Sequence, residues 1–266
     1  MKHFLGVLAL GVLGAFLSGC TTHAVQTSSG ADYLSQYETT AITDGTSGAS
    51  TFDGMLREAA AVEPTLQFPA HIGLARLRDG KLTEIPEAEF KVWAELADKY
   101  RLLGRFSALD PLIADFTAHT LGLDSGYGVA NTVKKVRLGA ARQHMDAILV
   151  YEVDVEAKKE NTALAFLDLT IIGGAVLPTR SMQVTGSAKA LLIGVRNGYP
   201  YGTANAQTKF EKLSTSWGSD AYRYRISDEA TQKIVIDLIP HVEDMFMELQ
   251  PALAKVNTAQ ATEQTE

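Results

Sequence analysis

Between Leu66 and Val155 the spacing of apolar residues switches back and forth between two periods, and this switching constrains the fold more than any other feature of the chain. The stretch Phe68 to Leu77, with its core His71-Ile72-Gly73-Leu74-Ala75-Arg76-Leu77, has an extended pattern and stops at the turn pair Asp79-Gly80, which predicts a first strand. Pro86-Glu87-Ala88-Glu89 then opens a helix, because a fixed φ and acidic side chains both suit a first turn. Phe90, Trp93, Leu96, Ala97, Tyr100 and Leu103 recur at spacings of three and four, and Gly104 ends the run. A shorter strand is expected from Phe106 to Ile113, interrupted by Asp110-Pro111. The loop Gly122 to Gly128 leads into a second helix, Asn131 to Met145, whose Lys134, Lys135, Arg137 and Arg142 face solvent or a sheet edge. Asp146 opens the plainest strand, Ala147 to Val155.

Beyond this point the pattern becomes that of a meander. A polar turn is expected at Lys158-Lys159-Glu160-Asn161 and a hairpin partner strand from Ala163 to Ile172, followed by extended stretches from Ser181 to Arg196 and from Tyr201 to Ser214. A last helix enters at Ser227-Asp228-Glu229 and buries Ile234, Leu238, Val242, Phe246, Leu249 and Leu253; Pro240 inside it should kink or split it. The order describes a single α/β (α+β) domain with a mixed sheet: βαβαβ, an antiparallel meander and a C-terminal helix.

The amino terminus has a different character. Lys2 and His3 precede an apolar run from Phe4 to Leu17, which is short for a membrane-spanning helix and suits the apolar core of a signal peptide. It ends in Leu17-Ser18-Gly19-Cys20, which resembles the lipobox of bacterial lipoproteins, and Cys20 is the only cysteine of the chain. The resemblance implies cleavage before Cys20, a diacylglyceryl group on its sulfur and further acylation such as palmitate. Two or more such chains anchor a protein durably. Thr21, where retention signals place Asp, implies sorting to the outer membrane of a Gram-negative cell, with the domain facing the periplasm.

The expected organisation is therefore a signal peptide over 1–19, a lipidated N-terminus and flexible linker over 20–50, a globular domain over 51–256 and a disordered tail over 257–266. The linker reading rests on the Thr, Ser, Gly and Ala content of Thr21 to Ser50, and 30 such residues would hold the domain roughly 30 Å from the membrane. A short helix from Thr51 to Val62 should end at Glu63-Pro64. Removing residues 1–19 from 266 leaves 247, without a cysteine free for a disulfide, so the core must supply the stability; 46% apolar residues suffice. Loss of Lys2 takes the net charge from −7 to −8, and an acidic domain repels phosphate backbones, which argues against nucleic-acid binding.

Several segments together resemble the rhombotarget lipoproteins. They are the lipobox, the first-strand run Leu66-Gln67-Phe68-Pro69-Ala70-His71-Ile72-Gly73-Leu74-Ala75, the Gly-rich loop and helix from Gly122 to Val133, the strand Asp146-Ala147-Ile148-Leu149-Val150-Tyr151, and the run Leu169 to Pro178. Members of that family often end in a Gly-Gly motif, an apolar segment and basic residues; here the last residues are Thr262-Glu263-Gln264-Thr265-Glu266. More loosely, the layout is similar to the periplasmic domains of curli-secretion lipoproteins, activators of penicillin-binding proteins and the Tol-system N-terminal domain. That likeness implies binding or assembly without chemistry.

No catalytic constellation stands out. His3, His23, His71, His119, His144 and His241 are scattered, with no His-x-x-x-His pair, and His71 reads as a packed or edge histidine. Ser187 and Lys189 have Ser-x-Lys spacing on a strand rather than the Ser-x-x-Lys of a helix. Glu152, Asp154 and Glu156 share one strand face, with Asp168 on the expected partner strand; they are either the solvated face of a hairpin or the carboxylates of an envelope glycan hydrolase. Tyr199, Tyr201, Trp217, Tyr222 and Tyr224, with Arg223 and Arg225, are either a contact surface for an envelope protein or the packing of the last strand on the final helix. No metal or cofactor is expected.

Overall fold

The computed structural model describes residues 22–41, 51–123, 129–161, 180–214 and 219–263. Among these are seven strands forming one mixed sheet: β1 (His23–Val25), β2 (Ala70–Arg78), β3 (Lys81–Thr83), β4 (Gly104–Ala108), β5 (Ala147–Asn161), β6 (Arg180–Gly194) and β7 (Pro200–Ser214). The helices are α1 (Gly30–Ala41), α2 (Thr51–Ala60), α3 (Glu87–Lys99), α4 (Pro111–Thr120), α5 (Val129–Arg142) and α6 (Ser219–Glu263). The sheet runs β1-β7-β6-β5-β2-β3, and β4 also pairs with β2.

The parallel centre forms because β2 has almost no polar face to spare. Ile72 through Leu77 are buried, so the strand must be covered on both sides and takes β5 and β4 as parallel partners, with Ile72 opposite Ala147 and Phe106. Trp93 and Leu96 of α3 and the long α6 cover one face of the sheet; Ala114 of α4 with Val136 and Ala140 of α5 cover the other. On β6 and β7 the residues under α6 are small: Gly186, Ala188, Ala190, Gly202, Ala204 and Ala206. A Cβ on Gly202 would fall 2.8 Å from Met245 Cγ, so this stripe lets the helix backbone lie close to the sheet. The buried positions of α6, among them Ile226, Ala230, Ile234, Leu238, Val242, Met245, Leu249 and Leu253, follow the helical period.

Several expectations need correction. The linker is in part folded: Thr22 already bonds to the sheet, His23–Val25 pairs with β7, and α1 follows. Residues 42–50 lie outside the description. Three residues are too few for a strand period to show, but Ser29-Gly30-Ala31-Asp32 carries a capping signature, and Ser29 Oγ does accept from Asp32 N at 3.2 Å. Asp110-Pro111 does not interrupt a strand; β4 has ended at Ala108, and Asp110 caps α4 by accepting from Leu112 N at 2.7 Å, with Pro111 at the first helical position. Lys158 to Asn161 belong to β5, which pairs with β6 along its whole length; Ala163 to Ile172 and the Leu169 to Pro178 run lie outside the described residues. The last helix starts at Ser219 and runs unsplit to Glu263, taking in most of the tail expected to be disordered. Pro240 is exposed, and so is Ile236, whose carbonyl loses its donor to the proline; that carbonyl is on the solvent side and water can satisfy it.

The α4–α5 contact on the second face is close. A Cβ on Gly139 would lie 2.7 Å from Ala114 Cα, a backbone atom that cannot swing aside. Gly139→Ala would favour an isolated helix by roughly 1 kcal/mol. In this fold overpacking of roughly 1–3 kcal/mol outweighs that gain. The variant should therefore have a lower denaturant midpoint than the parent; a higher midpoint would show that α4 and α5 can separate cheaply.

Candidate functional site

Cys20 and Trp217 lie outside the described residues, as do Asp168 and the loop residues 124–128. The chain is fixed from Thr22 onward. Asn205 N donates to the Thr22 carbonyl at 2.7 Å, Thr22 Oγ1 bonds His241 Nδ1 at 2.7 Å, and His23 Nε2 meets Glu248 Oε2 at 3.2 Å. Downstream, Glu63 Oε1 accepts from Ala31 N at 2.7 Å and from Ser29 Oγ at 3.1 Å, and a Cβ on Gly30 would fall 2.2 Å from the Ala60 carbonyl oxygen. Only glycine lets the start of α1 sit there. The N-terminal segment is thus strapped along the β7 edge and onto the end of α2.

The aromatic candidates separate. Tyr199 and Tyr201 are 2% and 0% exposed, so these two pack the interior and are not part of a surface. Their rings meet at 4.9 Å. Tyr201 Oη accepts from Thr65 N and Leu66 N at 2.9 and 2.8 Å, and Tyr199 Oη donates to the Ser28 carbonyl at 2.7 Å, so both phenols tie the strap and the chain leading into β2 to β7. Burial raises the Tyr199 pKa above its ordinary value. Tyr222, Arg223 and Tyr224 belong to α6, and Arg225 is exposed on it, 3.9 Å from Glu229. Around Tyr199 the strap, α1 and α2 enclose a cleft of about 390 Å³ lined by Tyr33, Leu34, Leu56, Val62 and Pro200.

The acids of β5 behave as a solvated face. Beyond Glu152 the strand alternates strictly, with Val153 buried and Asp154 and Glu156 exposed. Across the ladder stand Lys189, Ser187 and Thr185 on β6, then Asn205, Gln207 and Lys209 on β7. Glu152 accepts from Gly80 N at 3.0 Å, and Glu156 pairs with Lys158 at 3.1 Å. A hydrolase would need its carboxylates to converge on one point; here each is engaged by, or faces, a different neighbour along an open sheet. His71 is half-buried near the start of β2, with Nε2 3.0 Å from Ser107 Oγ, and with Nδ1 2.9 Å from Arg105 Nη2 and 3.1 Å from the His144 carbonyl oxygen. Among the described residues no group of His, Cys, Asp and Glu could hold a metal ion, and no helix is long and apolar enough to cross a membrane.

The cluster that sequence reasoning missed lies under α3. Arg76 Nε meets Glu89 Oε2 at 2.8 Å and Oε1 at 3.1 Å, and Tyr151 Oη donates to Glu89 Oε2 at 2.8 Å. All three are buried, and the Trp93 ring lies 5.0 Å from that of Tyr151. Two signals were present: Arg76 sits inside an unbroken apolar strand, and Glu89 stands four residues before Trp93, on the face that α3 buries. Burial first, then the charge of Glu89, holds the Tyr151 phenol above its ordinary value. The arrangement locks α3 to β2 and β5.

No protein-family profile and no curated protein matches the sequence. Solved structures do resemble the fold. Similar chains include the PelC dodecamer from Paraburkholderia phytofirmans (15% identity, 66% of this chain, 92% of that chain, TM-score 0.28). Others are lipoprotein GNA1162 from Neisseria meningitidis (18%, 62% and 98%, TM-score 0.28) and the LpoB C-terminal domain from Salmonella enterica (12%, 55% and 84%, TM-score 0.24). At such scores these likenesses carry no argument about what this chain binds.

Two outcomes follow from the buried cluster. Glu89→Ala leaves the Arg76 guanidinium buried without its partner and should cost roughly 3–5 kcal/mol in a denaturant titration. The stability owed to the Tyr151 phenol is complete below pH 10, its ordinary value, and falls above it because the unfolded chain then releases the proton more readily. Melting curves from about pH 8 to about pH 11 should show an alkaline loss that is shallower in Tyr151→Phe; equal slopes would remove Tyr151 as the cause.

Proposed function

We propose that the mature chain is an outer-membrane lipoprotein facing the periplasm, anchored through acyl groups on Cys20, and that it acts as a non-enzymatic binding or assembly module for an envelope protein. The observation that carries this reading is the coincidence of a short apolar leader, the small residues Ser18 and Gly19, and the only cysteine of the chain, ending two residues before a folded domain. Acylation gives that thiol a purpose. The resemblance to rhombotarget lipoproteins agrees with the leader, although its other described segments are here β2 with the chain leading into it, the start of α5 and the start of β5, which belong to the folded core.

The domain offers a partner backbone and polar groups. Beyond Leu77 opposite Glu152, β5 has no further pairing with β2, and β7 has none with β1 beyond Ala204. Among the described residues the far halves of these strands are open edges, and an extended peptide could add to that of β5 by main-chain hydrogen bonds. The polar ladder of β5, β6 and β7 borders both edges and would set the partner's charge pattern.

Cys20→Ser should give a precursor that is not processed by lipoprotein maturation and a product lacking the acyl mass. In cell fractionation the parent should partition with membranes, with mass spectrometry showing the acyl increment on its first residue. A parent with a free sulfhydryl would end the anchored reading.

A further inference from the structure

We infer that the domain is held directly against the lipid surface, β1 edge first, and is not suspended from a tether. This inference deepens the proposed function and rests on its anchor at Cys20. Thr22 is the first residue fixed to the sheet, and only Thr21 stands between it and Cys20. Two residues span at most about 7 Å in any conformation. The composition of residues 20–50 suggests a reach of tens of ångströms, but that reach does not exist while β1 is in place.

What holds β1 is more than its length suggests. Val25 packs against the main core, and its ladder partner is Gly202, where a Cβ would meet the Ala24 carbonyl at 2.8 Å. The Thr22–His241 and His23–Glu248 contacts fasten the strand to α6 as well as to β7. Past β1, the Gln26 N to Tyr201 carbonyl bond at 2.9 Å and the grip of Glu63 on Ser29 and Ala31 hold the chain again. Lipid drawn to Cys20 therefore draws the outer side of β7 around Asn205, and the segment of α6 around His241 and Glu248, to the headgroups. The far edge of the sheet, β3, is five strand positions away. At the usual strand spacing this is about 24 Å. The anchor thus fixes which edge meets the membrane and leaves the β3 and β4 side toward the periplasm.

The test uses the full-length acylated protein in phosphatidylethanolamine–phosphatidylglycerol vesicles carrying a nitroxide on the headgroup. Because Cys20 is acylated, a single new thiol can be labelled with a small fluorophore. Asn205→Cys and Lys81→Cys are both exposed positions, one beside β1 and one on β3. Quenching at position 205 should exceed that at position 81 several-fold. Inserting ten Gly and Ser residues between Thr21 and Thr22, a coil of about 17 Å, should erase most of the difference. Equal quenching in the parent, on vesicles with which the protein co-floats, would overturn the membrane-seated arrangement while leaving the anchor intact. Failure to co-float would overturn the anchor itself, and this inference with it.

Discussion

The parallel pairing of β2 with β5 is the constraint on which the rest of the structure depends. Six consecutive partners, from Ile72 opposite Ala147 to Leu77 opposite Glu152, bring together two strands separated by nearly seventy residues of chain. Parallel strands cannot be joined by a tight turn, so the intervening segment must cross over, and it does so through α3, β4, α4 and α5. Because β2 is apolar on both faces, the crossover elements and α6 have to be divided between the two sides. At the far end of the pair the one charged group on β2 that is taken inside, Arg76, finds Glu89 and Tyr151, and the three tie α3 to both strands.

Past the end of β2 the same sheet changes character. Among the described residues α4 and α5 cover only the central strands, and past them β5, β6 and β7 are covered by α6 on one face and turn polar residues such as Asp154, Ser187 and Gln207 to the other. This explains why the carboxylates of β5 form a charged ladder. Alternation on a one-sided sheet places every second residue in water, and the ladder spaces those residues along the strand instead of converging them. The glycine and alanine stripe on the other face has the complementary effect, letting α6 lie close to the sheet there.

Much of this was legible in the sequence. The strand–helix alternation, the mixed sheet, the closing helix and the solvated acids all follow from period and from turn chemistry. What was not legible fails for identifiable reasons. Asp110-Pro111 reads as a break in a strand, although an Asp cap followed by Pro at the first helical position is equally a helix start, and a local signal with two meanings needs its context. Lys158 to Asn161 look like a turn, but the pairing with β6 carries polar residues along an extended ribbon. The aromatic residues near 200 were ambiguous because tyrosine serves both interfaces and interiors; Tyr199 and Tyr201 are interior, where their hydroxyls satisfy backbone groups of the strap. That strap was hidden by its composition, since three residues of strand and a weakly amphipathic helix look like a linker until Gly202 and Glu63 are found to fit them.

The placement of β1 changes how a module of this kind can act. A domain on a long flexible tether samples many orientations, and its gain in effective concentration is spread over that volume. Under the proposed anchor at Cys20, a reach of two residues collapses that volume and the sheet sets the orientation, so that a partner meets the same polar ladder each time. Specificity can then reside in geometry as well as in contacts. A partner that is itself fixed at the membrane suits such a module best, because a fixed surface gains most when what it must meet is also held at a defined height.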